Sequence, residues 1–318
     1  MAQQRQVYHS GKFVPESEAT VSIFDNALMY GDMLFEMTRT YKGIPFRLRD
    51  HLERLYNGLK IIEIDCGLTI DEMEAATLET IEINRPCFPE DLDFQIMHNV
   101  SRGPRPEYFT IFPEGMQPTI TINCWPLTWH VGAYAKPYDT GVKAIITNQQ
   151  SIPARYLDPK IKNRSRIYYQ VAMTQAHHAD PDGWALLTDE DGYLTEGTGC
   201  NVFLVKNGEL FTPEPRNILR GVTRQAVMDL AKELGIPCHE CNLEQYDAAT
   251  ADEIFYTSTT MAVMPATSLN GLPIGDGKPG PVVKTLQDAF SEMVGVDIIA
   301  QAKQYNEVAG NTVQRRHP

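Results

Sequence analysis

The chain has 318 residues, 42% hydrophobic and 22% charged, with a formal net charge of −13; this describes a globular protein of two domains, on a scale of about 100–200 residues each, rather than a disordered chain. The acidic balance argues against nucleic acid or an anionic membrane as partner, no apolar run is long enough to cross a bilayer, and residues 1–13 are too polar for a signal peptide. Six cysteines scattered along so long a chain point to a reducing cytoplasm and not to a disulfide scaffold.

In chain order, VYHSGKFV (7–14) reads as a strand, a Ser-Gly turn and the start of a second strand. Residues 35–41 suit a strand that ends at the Lys42-Gly43 turn. The first helix is expected near Asp50, where Asp50 and Glu53 have capping-box spacing and Leu48, Leu52, Leu55, Leu59 and Ile62 recur at helical intervals. His51 and Arg54 lie on its less apolar side, and the residues alone make Arg54 a solvated position. A second helix begins at Thr69, with Glu72 three residues on. Residues 94–100 and 119–125 read as strands. The loop between them, SRGPRPEYF (101–109), carries Arg102 and Arg105, cations suited to an organic acid or simply to solvent. Residues 125–139 contain Pro126, Gly132 and Pro137 with little periodicity, which makes 130–138 a linker between a small domain (1–129) and a large one (139–318).

The large domain opens with a strand at 142–147 and a lysine-bearing loop, DPKIKNRSR (158–166), before a helix at 165–177. The stretch YLTEGTGCNVFLV (193–205) places one acid, Glu196, between a strand and a Gly-rich bend that lets backbone or ligand come close. LRGVTRQ (219–225) opens a helix whose stripe is Val227, Leu230, Ala231 and Leu234 and which stops at Gly235 and Pro237. Its start is either a phosphate-ready helix N-terminus or an end capped in the ordinary way by Thr223. Cys238 and Cys241 form a lone CxxC with no second ligand pair, read as a strand after that helix. ADEIFYT (251–257) is a buried strand running into Ser258, Thr259 and Thr260, and a last helix begins at Pro281.

Several chemistries are excluded. There is no GxSxG elbow, GTGCNV (197–202) lacks the third glycine of a dinucleotide fingerprint, and GDGKPG (275–280) is not a P-loop. The eight histidines show no ligand spacing, so no metal is expected.

Seven segments in order, SIFDNALMYGDMLFEMTR (22–39), HLERL (51–55), the lysine loop, YLTEGTGCNVFLV, ILRGVTRQAV (218–227), ADEIFYTST (251–259) and GDGKPGPVVKTLQDAF (275–290), resemble the class IV, fold-type IV pyridoxal-phosphate (PLP) aminotransferases. That group includes branched-chain and D-amino-acid aminotransferases and (R)-amine transaminases. The resemblance implies an α+β fold with a smaller N-terminal α/β domain and a larger, mixed α/β-barrel-like C-terminal domain. It also implies PLP bound between the domains and a homodimer whose subunits share each site. The resemblance implies a lysine that carries and serves the cofactor; Lys160 and Lys162 both qualify, and Lys162 is preferred because its spacing to the following helix matches the family's lysine. Glu196 matches the acid that pairs with the pyridine nitrogen. Arg54, Gly221, Val222 and Thr223, with Ser258 and Thr259, match the phosphate cradle, which reverses the solvated reading of Arg54. Tyr30, Phe35, Arg39, Arg102, Arg105, Thr260 and Met261 are the matching substrate-side positions.

The chain departs from the branched-chain pattern at FEMTR (35–39), where FEGxR is usual, and at Ile167, where those enzymes have tyrosine. SRGPRPE is similar to the carboxylate loop of the D-amino-acid enzymes, with Arg105 as the carboxylate binder but Glu107 where they have histidine. The expected reaction is ping-pong transfer between an amino acid or (R)-amine and a 2-oxo acid. The alternatives are a PLP lyase of the aminodeoxychorismate lyase type and a non-enzymatic binding protein.

Overall fold

The computed structural model describes residues 4–90, 92–112 and 116–309. They fall into two compact units, one comprising the described residues up to Leu127 together with Ile161–Arg166, the other Thr128–Lys160 and the described residues from Ile167 onward.

In the first unit the elements are β1 (Gln6–His9), β2 (Lys12–Pro15), α1 (Asn26–Tyr30), β3 (Met33–Tyr41), β4 (Ile44–Pro45), α2 (Leu48–Ile61), α3 (Ile70–Asn84), β5 (Phe94–Ser101) and β6 (Thr119–Pro126). The strands form an antiparallel sheet in the order β2-β1-β6-β5-β3-β4. Strand alternation sends Leu34, Ile96, Val100 and Ile122 into one core with Leu52, Leu55 and Leu59 of α2 and Met73 and Ile81 of α3. Helix α3 begins where the sequence placed it: Thr69 is the N-cap, and Thr69 and Glu72 form a reciprocal capping box. Helix α2 does not use the Asp50–Glu53 box. It starts two residues earlier, with Arg47 in the left-handed region at φ 49° and no side-chain cap.

The second unit contains α4 (Thr128–Gly132), α5 (Ala135–Thr140), β7 (Val142–Ile146), α6 (Ile167–Ala179), β8 (Gly183–Thr188), β9 (Leu194–Gly197), β10 (Cys200–Lys206), β11 (Glu209–Pro213), α7 (Val222–Glu233), β12 (Cys238–Cys241), α8 (Gln245–Ala249), β13 (Glu253–Ser258), β14 (Ala262–Leu269), β15 (Leu272–Pro273), α9 (Pro281–Val294) and α10 (Ile298–Val308). Strands β10, β13, β14, β7, β8 and β9 pair in turn, and β9 pairs back to β10, so six strands close into a barrel. Strands β11 and β12 extend from β10. Val202 to Val205 are all buried, as the unbroken apolar run of β10 requires of a strand covered on both faces. Phe203 stacks on Phe255 of β13 at 4.9 Å.

Residues 130–138 are not an extended linker: most of them belong to helices α4 and α5, which pack against α10. Gly132 is there because a Cβ would meet the Asn306 backbone nitrogen at 2.9 Å. A glycine required by a helix crossing carries the same letter as a linker glycine, and α10, its partner, was not read in the sequence.

Candidate active site

Glu196, near the end of β9, is 4% exposed. Its Oε1 accepts from the Tyr169 hydroxyl at 2.6 Å, and its Oε2 accepts from the Leu219 N–H at 3.0 Å and Asn201 Nδ2 at 3.3 Å. The acid is therefore no solvated turn residue. Three donors from α6, β10 and the approach to α7 hold a carboxylate, an acceptor-only group suited to a protonated ring nitrogen.

Asn201 also donates to Leu219 O at 2.9 Å, and its Oδ1 lies 2.1 Å from where a Cβ on Gly221 would stand. Gly221 thus keeps the start of α7 close to the Glu196 cluster. It is the N-cap, with extended backbone, and no side chain caps the helix. Thr223 is not the cap but a buried residue of the first turn. An uncapped 12-residue helix start, with Val222 and Thr223 in its first turn, presents backbone N–H groups and the positive end of the helix dipole to an anion. Thr257, opposite Asn201 on β13, has a buried hydroxyl with no partner among the described residues. Just beyond it, Ser258, Thr259 and Thr260 lead into the β13–β14 turn, which Ser258 and Ala262 close as a cross-strand pair. Ser258 and Met261 line a cavity of about 260 Å³ with Tyr134, Trp184 and Cys200. The second unit thus offers an acid for the ring and a cradle for a phosphate, and these residues fit PLP.

In the first unit, Arg54 donates through Nε and Nη2 to the two oxygens of Glu36, each at 2.7 Å, while His51 Nδ1 lies 2.8 Å from Glu36 Oε2. Burial pushes the Glu36 carboxyl upward, but Arg54 and then His51 outweigh it and hold it well below the usual carboxylate range. Burial drives His51 the other way, toward the neutral ring, with Glu36 opposing. A neutral ring facing a carboxylate must carry its proton on Nδ1. So Arg54 is fixed by a buried acid rather than solvated. Glu36 and His51 were missed as positioning residues, and the available signal was an acid at an inward position of an apolar strand.

The lysine loop divides. Lys160 is tied down, donating to Arg216 O at 2.9 Å and pairing with Asp158 at 2.8 Å. Lys162 is placed against β3: its carbonyl accepts from Phe35 N–H at 2.9 Å and its Nζ lies 4.8 Å from the Phe35 ring centre. Arg102 bridges to Asp32 at 2.6 Å and to Ile62 O and Glu63 O. Arg105 bonds Glu107 and the Tyr30 hydroxyl. Arg39 is 1% exposed and lies 4.0 Å over the Tyr41 ring.

The residues 33–269 match the family model of the class IV amino-transferases. A Methanocaldococcus jannaschii protein provisionally named branched-chain-amino-acid aminotransferase is 37% identical over 290 residues, covering 90% of this chain and 96% of that one. The D-alanine aminotransferase of Bacillus licheniformis is 32% identical over 289 residues, covering 91% and 96%. The crystal structure of the branched-chain amino acid aminotransferase from Thermobaculum terrenum in its PLP form is similar with a TM-score of 0.79 and 26% identity, covering 96% of this chain and 98% of that one. The fold and the family match define a fold-type IV PLP enzyme. The chain belongs to the class IV aminotransferases and performs PLP-dependent transamination; the relatives favour this over the lyase alternative.

Proposed function

We propose that this aminotransferase moves the amino group of an amino acid to a 2-oxo acid, with Lys162 as the catalytic lysine. The observation that supports the assignment is that Lys160 is held by Asp158 and Arg216 O, while Lys162 has the spacing to the following helix that matches the family's lysine. Bound PLP supplies an aldehyde that takes the amino group and a ring that draws electrons from the carbon bearing it. The Nζ of Lys162 holds the cofactor and moves the proton from Cα of the donor. Glu196 keeps a proton on the pyridine nitrogen. In the first unit Arg54, oriented by Glu36, is assigned to phosphate binding, and in the second the Gly221–Val222–Thr223 turn and the Ser258 and Thr259 hydroxyls are assigned to it. Thr260 and Met261 border the substrate.

Branched-chain-like donors are favoured by the names of two of the relatives above. D-amino acids are a second reading, supported by the Arg105–Tyr30 contact in the loop similar to that of the D-amino-acid enzymes. Arg39, buried on Tyr41, is assigned to packing, and Arg102 to fastening its loop. A homodimer is supported by the exposed Ile23, Leu28, Tyr30, Phe109 and Ile111 of the first unit, large apolar side chains that a partner would cover. The scattered cysteines, none in a disulfide, suit the cytoplasm.

Borohydride reduction of the holoenzyme followed by peptide mapping tests the lysine: the pyridoxyl adduct is expected on Lys162, and one on Lys160 would end the assignment. Lys162→Ala should abolish turnover while Lys160→Ala keeps the cofactor. Half-reactions with L-amino acids, D-amino acids and (R)-amines, followed by pyruvate or 2-oxoglutarate, identify the donor and its configuration. A cofactor that returns to its aldehyde form without retaining the amino group would favour a lyase.

A further inference from the structure

The segment 161–166 runs antiparallel beside the start of β3: Phe35 N–H donates to Lys162 O and Arg164 N–H to Met33 O, both at 2.9 Å, and Leu34 bridges Asn163. The two-residue period of an extended chain sends Lys162, Arg164 and Arg166 to the side that carries Phe35. Their cationic groups lie 4.8, 3.7 and 5.1 Å from the centre of that ring. Around Arg164 the polar contacts are neutral, with Nη2 donating to Asn99 Oδ1 at 2.9 Å and lying 2.9 Å from Met97 Sδ. No acid among the described residues pairs with it, whereas Arg54, Arg102 and Arg105 are matched by Glu36, Asp32 and Glu107. Burial, then the charge of Arg166, pushes the Arg164 guanidinium below its usual value, as expected where a cation has no counter-charge.

We infer that Arg164 binds a carboxylate of the substrate, with Phe35 fixing the plane of its guanidinium and Asn99 its edge. This rests on Lys162 being the catalytic lysine, because the reacting carbon must then come to Lys162 Nζ. Residues two apart in an extended chain are about 6.6 Å apart, so a carboxylate one to a few bonds from that carbon falls within the guanidinium's reach. Arg105, already matched by Glu107, is left the role of placing Tyr30. A planar guanidinium, and not an ammonium, suits this position because it both stacks on a ring and forks to a carboxylate.

The test compares Arg164→Gln, Arg164→Lys and Arg105→Ala as holoenzymes. Each is measured for KM with pyruvate and with 2-oxoglutarate, for inhibition by butyrate and by glutarate, and for PLP affinity and Tm. Arg164→Gln should raise KM ten- to a hundredfold and weaken inhibition in step, with kcat changed less and with PLP affinity and Tm unaltered; lysine should restore part of the loss. A loss shared by pyruvate and butyrate assigns Arg164 to the α-carboxylate, and one confined to 2-oxoglutarate and glutarate to a distal carboxylate. Unchanged KM and inhibition overturn the proposal. So does a fall in PLP affinity or Tm that accounts for the change, or a KM loss that appears in Arg105→Ala instead. A borohydride adduct on Lys160 would fail the underlying lysine assignment, which this comparison does not touch.

Discussion

Arg54 shows how one neighbour changes the meaning of a residue. On the helix surface it is one of many arginines, but a fully buried Glu36 grips two of its nitrogens and leaves its side chain 12% exposed. A guanidinium held this way loses little further freedom on binding an anion, which suits a phosphate grip. Removing a charge-assisted hydrogen bond to a buried anion costs about 1.5–3 kcal/mol. Arg54→Ala should therefore weaken PLP roughly ten- to a hundredfold, measured by titrating apoenzyme through the cofactor's absorbance. It also leaves Glu36 buried without its main counter-charge, so Tm should fall as well. An unchanged PLP dissociation constant would return Arg54 to a purely structural role.

Among elements, α7 carries the sharpest consequence. Leu219 on the approach to it, the Asn201 side chain and the Glu196 carboxylate share one network, and a Cβ on Gly221 would meet Asn201 Oδ1. The φ of Gly221 is ordinary, so alanine there is not strained by its backbone. The obstacle is Asn201 Oδ1, 2.1 Å from the new methyl. Gly221→Ala should displace Asn201 or the helix start and so disturb both the proposed phosphate cradle and Glu196. Weaker PLP binding together with a shifted cofactor absorbance is expected, with stability lowered by about 1–3 kcal/mol through overpacking. Gly235→Ala, past the end of the same helix and with no atom within 4 Å of its added methyl, is a control for backbone strain alone. Equal PLP affinities in the two variants would contradict this account.

At the scale of the whole molecule, acid sensitivity should originate in the first unit. Buried His98 has Nε2 at 2.8 Å from the Thr77 hydroxyl, which itself donates to Met73 O, so the His98 proton sits on Nε2. Burial pulls its pKa from 6.5 down to about 4. A depressed pKa means that the unfolded chain binds the proton first. The stability is then complete above pH 6.5 and drains away as pH falls toward 4, a contribution of about 3 kcal/mol. His51 shifts in the same direction, and Glu36 extends the loss to still lower pH as its carboxylate is titrated. Tm should hold between pH 7 and 8 and then fall through the range 6.5–4. His98→Gln should make that fall shallower whatever it does to Tm at pH 7. A Tm flat from pH 7 to 4.5 would rule out the buried histidines as its source.

Local signals determined much of this protein. The Thr69–Glu72 capping box, the buried α7 positions Val227, Leu230 and Ala231, the start of α9 at Pro281 and the strand at Cys238–Cys241 follow from residues within a turn or two of each other. The order of the motifs, through the family they resemble, led to the reaction and the cofactor. Contacts between residues far apart in the chain were decided only by tertiary structure. Glu36 meets Arg54 and His51 because β3 and α2 pack, Gly132 serves a crossing with α10, and β9 closes a barrel on β10. Lys160 and Lys162 differ only in what surrounds them, and Arg164 is distinguished by the acid it lacks. A sequence states which charges exist, whereas only the folded chain pairs them, because pairing depends on distance in space and burial strengthens each pair or makes its absence costly.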